Sequence, residues 1–372
     1  MKAEQKGHNL NYLNAACASI LFVAAFLMSC QQDKDESNRV TLYPVIQSQI
    51  ESAVETRALP ANTYQEYTGT NRQTIYAYAR AYAGNAQEPN VSGNFAPASG
   101  NKWSSHLEVE TGKSYYLWAH TRMPGSSSVS MNYNSGVLTI TGLDVISDSD
   151  PLLCTASSDI AANLVEGTFN IGEIPANTDP ENPPTVALAM KHLYARATVS
   201  FKLDPDYNSL RTVKITRATI STTQGGTYAG SHQYSFGEMS LTLASNNPSG
   251  TQQQMELIGG STQLVDYDQG STTEVTLDTN DYQDFGWFTF LSTGTTVPSL
   301  SLTVEYNVYD SEGGAMRLVG NAEHLTATNG NILKGISNVS GGNDYKIRII
   351  VKPTYLYQLS DNDVSFELSI QD

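Results

Sequence analysis

The fold is indicated most clearly by Thr74-Ile75-Tyr76-Ala77-Tyr78-Ala79-Arg80-Ala81-Tyr82, in which alanine or isoleucine alternates with large aromatic or charged residues. Side chains of a β-strand point in turn to the two faces of a sheet, so a period of two indicates a strand with one buried face. We therefore predict a strand over residues 74–82.

Similar short runs recur between clusters of Gly, Asn, Ser and Pro, whereas helical periodicity is scarce. The further predicted strands are residues 114–121, 137–141, 192–203, 212–222, 239–243, 274–277, 285–291, 299–309, 345–352 and 364–370. This pattern is typical of an all-β protein with two β-sandwiches in tandem. We expect the domain boundary near residue 204, at Asp204-Pro205-Asp206, and the Pro-rich residues 174–185 are a competing position.

The composition of the chain excludes several classes of protein and of partner. The chain has 372 residues, of which 40% are apolar and 16% charged, so it can form a core and is not a disordered chain. It has 37 acidic and 21 basic side chains and a net charge of −16, which makes nucleic acid an unfavourable partner. Cys154 is the one cysteine after residue 30, so we expect no internal disulfide.

The first 29 residues are predicted to be a signal peptide. An apolar run from Ala15 to Met28 is shorter than a membrane span, and it follows a polar stretch that carries Lys2 and Lys6. Leu27-Met28-Ser29-Cys30 resembles a bacterial lipobox, which implies lipidation at Cys30 and membrane anchoring through several acyl chains. An ordinary signal peptide with an incidental cysteine is the alternative.

Residues 30–57 are predicted to be a pro-segment that contains the first strand. The even positions from Val40 to Val54 are mostly apolar and the odd ones mostly polar. Ile46, Ile50 and Val54 would also fit one side of a helix, but Pro44 and the β-branched residues favour a strand, at an edge position. The residues predicted to face inward are Val40, Leu42, Ile46, Ile50 and Val54.

The pro-segment ends in a candidate processing site. Arg57-Ala58 lies in a polar stretch that continues to Pro60, and such a site suits a trypsin-like protease. A plain linker arginine is the alternative. Cleavage here would leave residues 58–204 and 205–372 as the N-terminal and C-terminal sandwiches.

No catalytic, metal or cofactor site is predicted. G-x-S-x-G and H-E-x-x-H are absent, and the six histidines are scattered singly. His192 lies on an alternating strand and is predicted to be structural. Acidic groups near Asp148, Asp278 and Asp361 lack the spacing of a calcium loop, so we interpret them as solvated turn residues.

Two stretches resemble the fimbrillin family, the pilus subunits of Bacteroidota. One is Asp150-Pro151-Leu152-Leu153-Cys154-Thr155-Ala156 followed by the alternating residues 186–199, and the other is the strand before Pro353, residues 345–352. The lipobox, the segment that ends in Arg-Ala and the tyrosine-rich strand add to this resemblance. It covers nearly the whole chain through loose patterns.

The resemblance implies two transthyretin-like, Greek-key sandwiches and a mechanism of assembly. The lipoprotein precursor would reach the surface of the outer membrane, and an Arg-specific protease would remove everything through Arg57. The departing strand would leave an apolar groove for a strand of the next pilin subunit, a case of β-augmentation. The function implied is that of a structural pilus subunit that serves adhesion, with no chemistry of its own.

The last strand is our candidate donor, because Val364, Phe366, Leu368 and Ile370 alternate with polar residues. The alternative is that it closes the second sandwich. Two other functions stay open: a surface glycan-binding lipoprotein with Trp103, Trp118 and Trp287 as a stacking platform, and a secreted glycoside hydrolase.

Overall fold

The computed structural model describes fifteen stretches of the chain. They are residues 38–49, 52–53, 64–69, 72–82, 90–125, 127–159, 164–176, 183–205, 212–235, 240–257, 275–291, 297–309, 325–336, 339–351 and 368–370. Every regular element of at least two residues in them is a β-strand, so the predicted all-β class is confirmed. No helix in these stretches is long and apolar enough to cross a membrane.

The strands are numbered in chain order. The first fifteen are β1 (Arg39–Thr41), β2 (Tyr43–Gln49), β3 (Ser52–Ala53), β4 (Tyr64–Glu66), β5 (Ile75–Ala81), β6 (Asn90–Pro97), β7 (Trp103–Ser105), β8 (Glu108–Glu110), β9 (Ser114–Thr121), β10 (Ser128–Asn132), β11 (Val137–Asp144), β12 (Ile146–Ser147), β13 (Leu152–Ser158), β14 (Asn170–Glu173) and β15 (Thr185–His192). The others are β16 (Ala195–Leu203), β17 (Thr212–Thr222), β18 (Thr227–Ser235), β19 (Ser240–Thr242), β20 (Pro248–Ser249), β21 (Gln254–Leu257), β22 (Val275–Thr276), β23 (Gln283–Phe290), β24 (Leu300–Tyr309), β25 (Leu325–Asn329), β26 (Asn343–Val351) and β27 (Leu368–Ile370).

Among the described residues the strands pair into five sheets. The largest, sheet B, has the order β4-β2-β15-β13-β9-β5-β6-β7, with β14 beside β9. Sheet C has the order β12-β23-β16-β26-β27, with β3 also on β26. Sheet D is β10-β11-β18-β19 with β20 on β18, sheet E is β21-β17-β24-β25 with β22 on β17, and β1 and β8 form a two-stranded ladder.

Pairing between distant parts of the chain determines this layout. Within the described strands, three pairs are parallel: β2 with β15, β16 with β26, and β3 with β26. Parallel neighbours need a long connection between them, so they cannot arise from adjacent hairpins. The hairpin β10–β11 from the first half of the chain pairs with β18 from the second half.

The predicted strand over residues 192–203 is wrong in one respect. β15 ends at His192 in sheet B and β16 begins at Ala195 in sheet C, because Leu193 and Tyr194 form a bend between the two sheets. A domain boundary at residue 204 would therefore separate β16 from β23 and β26, the two strands between which it lies in sheet C. The division into residues 58–204 and 205–372 stays a prediction, and the bend at residues 193–194 is the position that the pairing favours.

A single apolar core connects the sheets. It includes the small inward residues of β5, namely Ile75, Ala77, Ala79 and Ala81, as the alternation in residues 74–82 predicts. In sheet C the rings of Phe201 and Phe285 meet edge to face, with centroids 5.4 Å apart. Edge-to-face contact is a preferred geometry for aromatic pairs, so these rings fix the packing locally.

Gly341 tests how closely the two sheets approach at the bend. A Cβ on Gly341 would lie 2.1 Å from the carbonyl oxygen of His192, whereas a Cβ on Gly330 would meet nothing within 4 Å. Gly341→Ala should lower the free energy of unfolding by about 1–3 kcal/mol, as overpacking usually does. Gly330→Ala should change it by less than about 0.5 kcal/mol. Urea unfolding followed by tryptophan fluorescence measures both, and equal values for the two variants would contradict the close approach.

Candidate functional site

The first described residues lie within sheets formed by the rest of the chain. We call residues 38–53, without the undescribed 50–51, the leading segment. Its three strands pair with four other strands: β1 with β8, β2 with β15 and β4, and β3 with β26. The leading segment therefore contacts both the sheet that contains β5 and the sheet that contains β26.

In the leading segment, the even-numbered positions from Leu42 to Ser48 are the buried ones, as the period of two predicts. Leu42 and Ile46 are 0% and 1% exposed, and Pro44 and Ser48 on the same side of β2 are also buried. Tyr43, on the other side, is 39% exposed. Burying a Leu or Ile side chain contributes about 1.5–3 kcal/mol, so these two residues supply roughly 3–6 kcal/mol of hydrophobic stabilisation.

β2 runs parallel to β15 over six consecutive residue pairs, from Tyr43 with Thr185 to Ser48 with Met190. The Tyr43 amide also donates to the carbonyl of Pro184 at 3.0 Å, which extends the ladder at its start. On its other side β2 pairs antiparallel with β4 through Gln47, Ser48 and Gln49. From Gln47 onward, β2 is therefore enclosed by a strand on each side.

Pro44 lies outside the part of β2 that pairs with β4, because that ladder begins at Gln47. A proline cannot donate to a ladder, so it is tolerated where one side of the strand is not paired. The predicted edge position thus describes the first half of β2, and its second half is an interior strand of sheet B.

β4 has contacts to the body of the protein that do not involve β2. The Tyr64 hydroxyl donates to Oε1 of Glu166 at 2.7 Å and lies 2.9 Å from Oγ1 of Thr155. Burial, followed by the Glu166 carboxylate, raises the pKa of Tyr64, so the phenol stays protonated and keeps donating. These bonds hold β4 in place beside β2.

The residue after β4 strengthens this attachment. The Tyr67 hydroxyl accepts a hydrogen bond from the Gln73 amide at 3.1 Å, and the Tyr67 ring lies 5.9 Å from that of Trp103. The Tyr67 amide donates to the Ile46 carbonyl at 2.8 Å, which is its link to β2. We call the space between β15 and β4, which β2 occupies, the slot.

The leading segment and the end of the chain share one strand edge in sheet C. β3 pairs with Asn343 and Asp344, and β27 pairs antiparallel with residues 347–349 of the same strand, β26. Asp344 is buried and accepts a hydrogen bond from the Thr198 hydroxyl at 2.9 Å. The two ends of the chain therefore meet on β26.

The predicted site residues are only partly described. Val40 is half-buried on β1, and the backbones of Leu368 and Ile370 lie on β27. Leu42 and Ile46 are buried, as given above. Seven further predicted residues lie outside the described residues, and their assignments stay predictions: Cys30, Ile50, Val54, Arg57, Ala58, Val364 and Phe366.

The three tryptophans lie in separate surroundings. Trp103 packs against Arg72 at 5.0 Å, Trp287 packs against Arg196 at 5.1 Å, and Trp118 is 5% exposed beside Tyr116. They belong to strands β7, β23 and β9, of which β23 is in a different sheet from the other two. This arrangement does not bring them together as the stacking platform that we considered.

The other residues considered in the sequence bond locally. Nδ1 of His192 lies 2.7 Å from Oδ2 of Asp150, and the Asp278 carboxylate accepts a hydrogen bond from the Asn280 amide at 2.7 Å. The element of the candidate site that the sequence did not indicate is β4. Tyr64 and Glu66 of β4, and Tyr67 after it, carry no motif, and their position depends on which strands lie beside them.

No protein-family model matches the chain, and no curated protein matches its sequence. Solved structures do match it in strand arrangement. A fimbrial protein from Bacteroides vulgatus is 13% identical over 90% of this chain and 99% of its own, with a TM-score of 0.46. The fimbrial anchor protein Mfa2 from Porphyromonas gingivalis is 12% identical over 88% of this chain and 95% of its own, with a TM-score of 0.29.

Leu42 tests the contribution of the leading segment to stability. In the uncleaved chain, Leu42→Ala should lower the free energy of unfolding by about 2–5 kcal/mol, because it removes a fully buried side chain and leaves a cavity. Val45→Ala, at a half-exposed position of β2 in the same segment, should cost less than about 1 kcal/mol. Urea denaturation of both variants measures the difference, and an equal loss would show that the leading segment does not bury its even positions.

Proposed function

We propose that this chain is a structural subunit of a cell-surface pilus that serves adhesion. It is exported to the outer membrane as a lipoprotein anchored at Cys30, cleaved after Arg57 by an Arg-specific protease, and joined to the next subunit by strand exchange. The proposal gives the chain no chemistry of its own. The observation that carries it is the slot, in which β2 lies between two strands of the body and buries Ile46, while Leu42 is buried directly before β2.

The order of the elements along the chain suits this function. Arg57 and Ala58 fall between β3, which ends at Ala53, and β4, which begins at Tyr64. A cut after Arg57 therefore separates the occupant of the slot from one of its two walls. β4 stays with the body through Tyr64 and Tyr67, so the departure of β2 would leave a space one strand wide with a wall on each side.

An empty slot would be unfavourable. It would expose the apolar residues that pack on Leu42 and Ile46, and it would leave unpaired backbone groups on β15 and β4. Such an edge readily pairs with another strand. An attached occupant is always present at high effective concentration, so the precursor would be protected from premature assembly until it is cut.

The slot also determines the side-chain pattern and the direction that an incoming strand needs. Four alternate positions of the displaced strand are buried: Leu42, Pro44, Ile46 and Ser48. The C-terminal residues Val364, Phe366, Leu368 and Ile370 provide four apolar side chains with the same period of two. The incoming strand would run parallel to β15 and antiparallel to β4, because those directions match the strand that it replaces.

The slot offers residues 364–370, which we call the tail, a strand on each side. Among the described residues, β27 pairs with β26 from Ile347 with Ile370 to Ile349 with Leu368. In the slot of another subunit the tail could form a ladder like that of β2, which pairs with both β15 and β4. Backbone hydrogen bonds on both sides and a buried apolar face would favour the joined state.

Arg57→Ala tests the processing site. Cells that carry this variant should accumulate the lipidated precursor and lose detergent-resistant polymers, because the slot stays occupied. Arg39→Ala removes an exposed arginine of the leading segment and should leave processing unchanged. Mass spectrometry of surface material gives the mature N-terminus, which should be Ala58. Normal polymers from Arg57→Ala would refute the site.

Two double variants, each with two charge substitutions on one face of the tail, test whether the tail is the donor strand. Phe366→Asp with Leu368→Asp should abolish polymers and leave the monomer folded, since a charged residue cannot enter an apolar slot. Ser365→Asp with Ser369→Asp changes the charge equally on the polar face and should be tolerated. If the tail instead closes its own sheet, the first double variant would lower the urea midpoint of the monomer.

A further inference from the structure

The strand β5 places its side chains in an unusual way. Its buried positions after Ile75 are all alanine, whereas Tyr76, Tyr78 and Arg80 point to the other face of the sheet, and Tyr82 follows them. Burying a large aromatic side chain stabilises a fold far more than burying alanine, so stability alone would favour the reverse arrangement. The position of the tyrosines therefore calls for a reason outside the core.

The neighbouring strands continue this face on both sides. In the β5–β9 ladder, Arg80 is opposite Tyr116, and in the β5–β6 ladder Tyr78 and Arg80 are opposite Ser92 and Asn90. Adjacent strands lie about 4.8 Å apart, so a row of hydroxyl and amide groups runs next to a row of aromatic rings. We call this surface the tyrosine face, which consists of Tyr76, Tyr78, Tyr82, Tyr116, Asn90 and Ser92.

The rings of the tyrosine face are held by contacts with one another. Tyr76 and Tyr78 both stack on the imidazole of His120, at 5.4 and 5.6 Å, and Tyr82 lies 4.7 Å from Tyr116. The Tyr78 hydroxyl is 3.0 Å from Nε2 of His120, and Nδ1 of that ring donates to the Thr121 carbonyl. A ligand would thus meet a surface that is already ordered, which lowers the entropy lost on binding.

Part of this face is open to solvent. Tyr76 and Tyr82 are 40% and 50% exposed, and they are two of the four large apolar side chains that are exposed in the described part of the chain. Asn90 and Ser92 are exposed as well. Tyr76 and Tyr82 lie near opposite ends of β5, about 20 Å apart at ~3.3 Å per residue, so a ligand that contacts both rings extends along the strand.

The tyrosine face is almost free of charge. Burial lowers the pKa of His120 to about 4, so the imidazole is neutral at physiological pH. A hydrogen bond with Tyr82, followed by burial, raises the pKa of Tyr116, and burial raises that of Tyr78, so both phenols keep their protons. Arg80, which lies between Tyr78 and Tyr82 on the same side of β5, is charged, and its guanidinium donates to the carbonyls of Tyr133 and Asn134.

These properties indicate which kind of ligand the tyrosine face can bind. Among the described residues of β5 and its neighbours, the face offers no row of cations to an acidic polymer. A neutral sugar matches it, because the C–H face of a pyranose packs on an aromatic ring while its hydroxyl groups bond to amides and hydroxyls at the rim. We propose that the tyrosine face binds neutral carbohydrate.

The proposal is tested with the purified full chain on an array of neutral, sialylated and sulfated glycans, and then by saturation-transfer NMR with the neutral glycans that bind. The double variant Tyr76→Ala, Tyr82→Ala should weaken binding at least about tenfold, because it removes both exposed rings. Tyr43→Ala is the matched control, since Tyr43 is 39% exposed and lies on β2, four strands from β5 in the same sheet. Its affinity should equal that of the unchanged chain.

The unfolding midpoint in urea verifies that both variants are folded, as expected for substitutions at exposed positions. Any of four results would overturn the proposal. They are no binding to neutral glycans, binding only to acidic glycans, equal affinity of the double variant and the unchanged chain, or self-association that the double variant abolishes. The last would identify the face as a contact between copies of the chain.

Discussion

The parallel pairing between β2 and β15 is the interaction on which the arrangement of sheet B depends. It joins residues near the start of the described chain to a strand in its middle, and closing such a long loop costs conformational entropy. The cost is offset by a ladder of six residue pairs and by the burial of Leu42 and Ile46. Because β2 is also the link between β4 and β15, the order of sheet B at this end depends on a strand that belongs to the predicted pro-segment.

Local periodicity predicted the class of the fold and several of its strands. The alternation in residues 74–82 corresponds to β5, and residues 212–222 correspond to β17 at the same bounds. β6 was not predicted, because Asn, Ser, Gly and Pro dominate its sequence and it becomes a strand through pairing with β5 on one side and β7 on the other. A Cβ on Gly93 of β6 would lie 2.3 Å from the His106 carbonyl oxygen, so a residue that weakens a strand locally is required there by packing.

In the candidate site too, features within one strand could be predicted from the sequence, whereas contacts between distant strands could not. The period of two in the pro-segment predicted that Leu42 and Ile46 face inward, since that depends only on residues within one strand. The partners of that strand could not be predicted, because a strand pattern contains no information about its neighbours or their direction. β4 is the clearest example: its role as the second wall depends on a phenol that reaches Thr155 and Glu166. The bend at residues 193–194 was missed for a related reason, as the alternation continues through it while the chain changes sheets.

The two faces of sheet B carry different side chains, so one face can pack in the core while the other is available for a ligand. On β5 the alanines provide a smooth inner face, so the tyrosines are free to lie outside without competing for core volume. The leading segment has the opposite distribution, with Leu42 and Ile46 inside, and its removal would open the core of the sheet and leave the tyrosine face unchanged. Between β2 and β5 lie β15, β13 and β9, so the slot and the tyrosine face are separated by three strands. Strand exchange at one end of the sheet and ligand binding at the other could therefore proceed independently.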